Sequence, residues 1–564
     1  MDFTEPQVEP KLRYQLLERY RVLDGLLLRL LTGAGLNWLR TNAQVVNALN
    51  VFPVPDGDTG TNMTLTMQAA WAEIENLSDR SVGRIAHALA HGALMGARGN
   101  SGVILSQLWR GFARSLDQRG AVDAAGLVAA LAEARDTAYK GVVRPVEGTI
   151  LTVSKDVAEG AENALKAGAG SGLEVLEAAV RAAEESVERT PELLPVLKDA
   201  GVVDSGGKGL FFILEGMLRA AYRLPLDRPM VSIQPLSALA LADVAESVEP
   251  GQDWEVVVDF RPDAEMDLPA FYGRLQEMGT SIQVGEGDGI YRMHIHVPDK
   301  TQFEPIQYVE SLGTITNVHI ENLMEQTSGV RRTGPTTPLR LARVEPGQIA
   351  VVAVSPGAGL SRIFGSLGVA SIVEGGQTMN PSTQDLLNAL EALPTDEVLI
   401  LPNNGNIVMT ARQVADLTPK HVRVIATASA PQGVAAMMAH DPNGDPAQVA
   451  AAMEEALHHV RTCEITMATR NVEIDGVPAR EGQVIGLLDG RLVASGDDLE
   501  LTLLSLLDKA GAAQAEILAA YYGMNLTPME ANRLANRIRE TWPQLEVEVH
   551  EGGQPHYPLI LSLE

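Results

Sequence analysis

The sequence predicts a multidomain protein: an all-α barrel or bundle of about eight helices, then a small α/β middle domain, then a larger α/β domain. Three observations carry this. Apolar residues recur at helical spacing from residue 11 to about 222, segment after segment. From Trp254 the chain turns to runs that mix β-branched with polar residues, as strands do. From Gln348 apolar strands alternate with helical patterns. A length of 564 residues at roughly 150 residues per domain accommodates three or four domains.

The helical segments fall near 13–31, 62–76, 81–95, 103–117, 122–139, 149–168, 173–189 and 207–222. Corners rich in Gly or Pro separate them: Gly96 to Gly102, Arg144 to Gly148, and Pro191 to Gly207. Pro225, Pro229 and Pro235 then break the helical pattern, which bounds the first unit at 11–224. Strands at Trp254–Phe260 and Ile290–Val297 define a middle unit, 250–328, and the polar, Pro-bearing stretch Ser328–Arg340 reads as a linker. The last unit, 340–564, opens with strands Ile349–Val354, Val398–Leu401 and Val422–Ala426 and reads as largely parallel. Two echoes, Glu374-Gly375-Gly376-Gln377 and Glu551-Gly552-Gly553-Gln554, hint at a duplicated unit.

Composition excludes several classes. A net charge of −28 disfavours nucleic acid and anionic membrane surfaces as partners. A single cysteine, Cys463, rules out an intrachain disulfide framework or a Cys-rich zinc module and fits a reducing, cytoplasmic setting. The apolar run Leu26–Leu31 is short, contains Arg29 and follows Glu5, Glu9 and Lys11, so no export signal is expected. No apolar stretch approaches the roughly 20 residues that span a bilayer.

Chemistry concentrates in Asp56-Gly57-Asp58-Thr59-Gly60-Thr61-Asn62. Gly57, with Pro53 and Pro55 upstream, makes a tight loop in which two carboxylates can converge. Thr59, Thr61 and Asn62 offer hydroxyl and amide groups where a helix begins, a setting that suits a divalent cation together with phosphate. A calcium EF-hand loop needs Gly at position six and Glu at twelve, where this chain has Thr61 and Met67. A second corner, Gly96-Ala97-Arg98-Gly99-Asn100-Ser101-Gly102, lets backbone N–H groups approach phosphate at a helix start; close helix packing explains its glycines equally well when it is read alone. Arg144 to Thr149 and Asp204 to Lys208 read alone as helix-capping turns. Gly207-Lys208 lacks the Walker spacing, and Arg362 stands where a dinucleotide fingerprint needs its third glycine. His294-Ile295-His296 places two imidazoles on one strand face, a polar face or a metal pair.

The run Asn47 to Met63, NALNVFPVPDGDTGTNM, resembles the nucleotide loop of the L-type dihydroxyacetone kinase family, and most closely that of the A component of bacterial fatty-acid kinase. The resemblance extends from Leu23 to Glu564. It implies an eight-helix barrel that binds ATP with one or two Mg²⁺, the metal on Asp56, Asp58 and Asn50. It implies Thr61, Asn62, Asn100, Ser101 and Gly102 at the phosphates, with Gly148, Thr149, Asp204, Ser205 and Gly206 around the nucleoside. It further implies a fatty-acid-binding carrier protein as partner, acyl phosphate as product, and self-association as a homodimer.

Two departures stand in the loop. Asn50 replaces a third aspartate, and Thr59 replaces the histidine of small-substrate members. A hydroxyl acceptor profits from a base, whereas a carboxylate is already ionised near neutral pH; Thr59 therefore favours a carboxylate acceptor. Related fatty-acid kinases pair the H-x-H with a cysteine, but that position is Val257 here, which argues against zinc at His294 and His296 unless Asp259 or His319 completes the set. The loops Glu374–Ser382, Leu401–Asn406 and Ser429–Gly433 resemble those of the DegV-like lipid-binding fold. The rival readings are a kinase for a small hydroxylated metabolite such as dihydroxyacetone, and a non-catalytic nucleotide- or lipid-sensing scaffold.

Overall fold

The structure, a computed structural model, describes residues 10–51, 57–226, 234–235, 254–263, 266, 268–287, 290–322, 339, 341–376, 380–468, 472–474 and 476–564. Asp56 and all of the expected 328–340 linker except Leu339 lie outside them.

Up to residue 226 the described chain is helical: α1 (Pro10–Arg19), α2 (Gly25–Thr41), α3 (Ala43–Ala48), α4 (Thr59–Ala72), α5 (Val82–Met95), α6 (Gly99–Ser115), α7 (Ala124–Gly141), α8 (Ile150–Lys166), α9 (Gly172–Leu193), α10 (Pro195–Asp199) and α11 (Ser205–Ala221). One two-strand bridge joins β1 (Leu23–Asp24) to β2 (Ala121–Val122). The segment expected as one helix over 13–31 is two. The first ends at Arg19, and Asp24 caps the second, its Oδ1 accepting from Leu27 N at 2.9 Å.

Among the eight longer helices, α4 to α9 each pack on the next, α9 packs on α11, α11 on α2, and α2 back on α4. This circuit buries Trp38, Met63, Phe211 and Phe212 and leaves an apolar cavity of about 120 Å³ lined by Leu31, Leu105, Leu131 and Met217, among others. Buried Glu215 is satisfied within it, accepting from Trp38 Nε1 at 2.8 Å and pairing with Arg219 at 3.4 Å.

The middle unit is a five-stranded sheet, order β3-β5-β6-β4-β7, of β3 (Gln234–Pro235), β4 (Trp254–Pro262), β5 (Thr280–Gly287), β6 (Ile290–Val297) and β7 (Gly313–Asn322). Helices α12 (Leu268–Gln276) and α13 (Glu304–Glu310) cover its apolar residues Val256, Val258, Phe260, Met293 and Ile295.

The last unit holds two larger sheets. The first is parallel, order β11-β10-β8-β9, from β8 (Ala350–Ser355), β9 (Ser371–Glu374), β10 (Glu397–Leu401) and β11 (His421–Val424). Helices α14 (Ala358–Ser366), α15 (Thr383–Glu391), α16 (Val408–Ala415), α17 (Ala430–Met438) and α18 (Pro446–Ala456) accompany it. The expectation of parallel strands fails beyond it. In the second sheet β12 (Arg461–Met467), β15 (Val484–Leu488), β16 (Arg491–Gly496), β17 (Ile517–Tyr522), β18 (Glu546–Glu551) and β19 (Leu559–Leu563) pair antiparallel, except for β17 with β18. A separate hairpin joins β13 (Val472–Ile474) and β14 (Val477–Ala479), and helices α19 (Leu499–Lys509) and α20 (Pro528–Thr541) complete the unit. The physical reason is a two-residue connection: Asp489 (φ 48°) and Gly490 (φ 77°) make the left-handed turn that reverses β15 into β16. Glu374 ends edge strand β9 and Glu551 ends edge strand β18, in sheets of different topology, so the two echoes do not mark a repeated unit.

Candidate active site

Four long helices begin at the same end of the helical unit. Ser205 Oγ at the start of α11 donates to Thr59 Oγ1 at the start of α4, 3.2 Å. A Cβ on Gly99, first residue of α6, would lie 2.7 Å from Asn62 Nδ2 in α4, and one on Gly206 of α11 would lie 3.3 Å from Ile150 Cβ, first residue of α8. The positive dipole ends of α4, α6, α8 and α11 are thus pooled, a setting for a polyanion.

Asp58 occupies the N-cap position of α4 but its side chain makes no capping bond. Asn47 does that work from the neighbouring turn. Its Oδ1 accepts from Gly60 N at 2.7 Å and Thr61 N at 3.1 Å, and its Nδ2 donates to Thr61 Oγ1 at 3.0 Å. The Asp58 carboxylate, 7% exposed, is therefore not spent on the helix end, and Asn50 is buried as well. The α6 corner is held close because Gly102 leaves room for Thr66, whose Oγ1 would lie 2.4 Å from a Cβ there. Gly99 takes a left-handed φ of 58°.

The remaining corners are helix caps first. Thr149 Oγ1 accepts from Leu151 N at 3.4 Å and donates to Val146 O, and Gly148 turns with φ 83°. Asp204 accepts from Gly207 N at 2.6 Å. Burial pushes its carboxyl up to about 7, although the Gly207 and Ile150 amides pull the other way.

The donor set fits a hard cation: a buried carboxylate and neutral oxygens, with Asp56 outside the described residues. Among the described residues no three His, Cys, Asp or Glu side chains gather as a metal cluster. One more oxygen comes from an unexpected place. Asn380, 1% exposed, donates through Nδ2 to Asp58 Oδ2 at 2.5 Å, and its own Oδ1 is buried without a partner among the described residues.

Asn380 belongs to the last unit, which sits directly on this corner. Arg98 donates to Asn380 O at 2.7 Å and lies 3.5 Å from Asp385, and Thr383 N donates to Ala97 O at 3.2 Å. Asn100, expected at the phosphates, donates through its side chain to Asn406 Oδ1 of the docked unit at 2.9 Å. No local spacing signals any of these contacts. The other expected loops border a separate cleft of about 500 Å³, lined by Ser355, Glu374, Asn403, Ser429 and Glu464, whose carboxyl burial and Asp489 push up to about 7.

In the middle unit His294 and His296 share one face of β6, both 4% exposed, with ring centroids 5.1 Å apart. Val257 is in register with both His294 and His319. Asp259 does not complete a metal set; it holds Arg292 in a two-point ion pair at 2.6 and 2.9 Å. Glu255 Oε1 lies 3.3 Å from His294 Nδ1, and burial together with His296 pushes the His294 imidazole down to about 3.

Three family descriptions match in order: the DAK2 domain over residues 53–219, the FakA-like middle domain of fatty acid kinase over 249–330, and the FakA-like C-terminal domain of fatty acid kinase over 350–564. Protein YloV of Bacillus subtilis (strain 168) is 38% identical over 556 residues, covering 96% of this chain and all of that one. A protein of Staphylococcus aureus (strain USA300) is 37% identical over 535 residues, covering 93% and 96%. Among solved structures, the DegV family protein Cg2579 of Corynebacterium glutamicum aligns with a TM-score of 0.30 at 15% identity, covering 38% of this chain and 96% of that one. With relatives matched end to end and all three domain descriptions in sequence, the chain belongs to the FakA-like family of fatty acid kinase components.

Proposed function

We propose that this chain is a cytoplasmic, ATP-dependent kinase that phosphorylates the carboxylate of a fatty acid presented by a separate fatty-acid-binding protein, giving acyl phosphate. Its working units are 11–224, an eight-helix barrel that binds ATP, then 250–328 and the DegV-like 340–564. The observation that carries the reading is the meeting of four helix N-termini, one of them headed by a buried aspartate whose carboxylate makes no capping bond.

In the reaction a carboxylate oxygen attacks the γ-phosphorus as the bond from phosphorus to the β,γ-bridging oxygen breaks, and ADP leaves with that electron pair. No proton is transferred. Thr59 supports this acceptor: it is 4% exposed, hydrogen-bonded to Ser205, and no base. The N-termini of α4 and α6, with Thr61, Asn62, Ser101 and Gly102, orient the phosphates, and the Thr149 and Asp204 corners hold the nucleoside. Asp56, Asp58 and Asn50 would hold Mg²⁺, which neutralises phosphate charge when bound. Most of the rate enhancement then comes from positioning.

Transfer of labelled γ-phosphate to carrier-bound fatty acid, free fatty acid and dihydroxyacetone tests the reading. Carrier-bound fatty acid is the expected acceptor. Faster labelling of dihydroxyacetone would overturn it.

A further inference from the structure

Asn380 stands out from every other polar residue of the last unit. It is nearly inaccessible, it touches the one described carboxylate of the proposed metal loop, and its oxygen is stranded. A buried amide oxygen without a partner costs about 1–3 kcal/mol; Asn403, Gln413 and Gln554 carry one as well, but among the described residues only that of Asn380 belongs to an amide bonded to the proposed metal loop. The side chain is also firmly aimed. Arg98 grips the Asn380 carbonyl at 2.7 Å, and a reciprocal cap, Ser382 N to Asp385 Oδ2 at 2.8 Å and Asp385 N to Ser382 Oγ at 3.1 Å, fixes the following helix.

We propose that Asn380 is a residue of the kinase site supplied by the C-terminal unit. Its Nδ2 holds Asp58 here. The same amide, turned half a rotation about its last side-chain bond, presents Oδ1 to a divalent cation bound by Asp58. The two ends of an amide have nearly the same shape, so the exchange needs no backbone movement. An amide oxygen is a suitable ligand for a hard cation. The inference rests on the proposed reading of the Asp58 loop as a metal–nucleotide site. It adds that the site is complete only while the C-terminal unit is docked, which ties metal affinity to the position of the part of the protein farthest along the chain.

The test is Mn²⁺ titration of the full-length protein by electron paramagnetic resonance, with a non-hydrolysable ATP analogue present and melting temperatures recorded alongside. Asn380→Ala should weaken Mn²⁺ about ten- to a hundredfold, the range found when a residue supporting a metal site is removed. Asn380→Asp keeps an oxygen there and should stay within about threefold of the native protein. Asn406→Ala, which loses a docking bond but no site oxygen, should do the same. Native Mn²⁺ affinity in Asn380→Ala would overturn the inference, as would equal losses in Asn406→Ala. Loss in Asn380→Asp as large as in Asn380→Ala would overturn the ligand role and assign Asn380 a hydrogen-bonding one only. If the native protein binds no Mn²⁺ that Asp58→Asn removes, the metal reading of the loop itself fails; if that control behaves and Asn380→Ala binds normally, only the role of Asn380 fails.

Discussion

A single methyl group at Gly60 should disconnect the acidic loop from its support. Gly60 lies buried in the first turn of α4, and a Cβ there would sit 2.1 Å from Ala43 O and 2.9 Å from Asn47 Oδ1. Ala43 O is backbone and cannot turn aside. To reach ordinary contact α4 must move away by about 1 Å or more. The Asn47 bonds to Gly60 N and Thr61 N, 2.7 and 3.1 Å, then stretch beyond use. Two lost hydrogen bonds at about 1 kcal/mol each and overpacking of about 1–3 kcal/mol are offset by about 1 kcal/mol of helix propensity gained over glycine. The net is about 2–4 kcal/mol, and 3 kcal/mol lowers the melting temperature of a unit this size by about 6–12 °C. Because Asp58 precedes the displaced residue by two positions, ATP–Mg²⁺ affinity should fall with it. Calorimetry of Gly60→Ala beside Gly120→Ala, where a Cβ meets nothing within 4 Å, is the assay. Native melting and native nucleotide affinity in Gly60→Ala would refute the packing argument.

Other outcomes follow from the same structure and from the proposed site. Asp56→Asn and Asp58→Asn should each nearly abolish phosphoryl transfer while melting like the native protein, which turnover and calorimetry together would check. His294 is held near pKa 3 when folded against about 6.5 when unfolded. The unfolded chain therefore takes up the proton first, and stability falls as pH drops below about 6.5, by about 2 kcal/mol at pH 5. Urea unfolding of the middle unit's strands at pH 8 and pH 5 should show the drop, and His294→Gln should flatten it. Cys463 is fully buried and its thiol is pushed up to about 12 by burial. A thiol reagent at pH 8 should label the native protein negligibly and the unfolded protein once per chain.

Helical periodicity made seven of the eight long helices readable, because each buries one continuous apolar stripe. The exception was α2, which runs past the expected end at residue 31 to Thr41 and carries Gly33 and Gly35 in that part. In the fold they are close approaches: a Cβ on Gly33 would meet the Trp71 ring at 2.7 Å, and one on Gly35 would meet Ile213 O at 2.9 Å. The β15–β16 reversal was also legible, since Asp489-Gly490 between apolar runs is a strong hairpin signal. The expectation of parallel strands rested instead on Ile349–Val354, Val398–Leu401 and Val422–Ala426, which precede it. The acidic loop stood out through its residue types, and its proposed nucleotide role through resemblance to a known family. The Asn47 brace needed only local geometry, while the contact of Asn380 with Asp58 spans 322 positions of chain. Nothing in residue spacing encodes such a pairing, which depends on how two units far apart in the chain meet.

If the proposed nucleotide site is right, the convergence of helix starts bears on how a nucleotide would reach this protein. The attraction there comes from peptide dipoles, which have no pKa, cannot be acetylated, and fade within about one helical turn. Beyond that distance an incoming triphosphate meets a body of net charge −28. On the proposed function, long-range electrostatics should therefore repel the triphosphate that short-range dipoles would hold. Added salt, which slows most charge-steered encounters, should quicken this one as the Debye length shrinks to about 8–10 Å near physiological ionic strength.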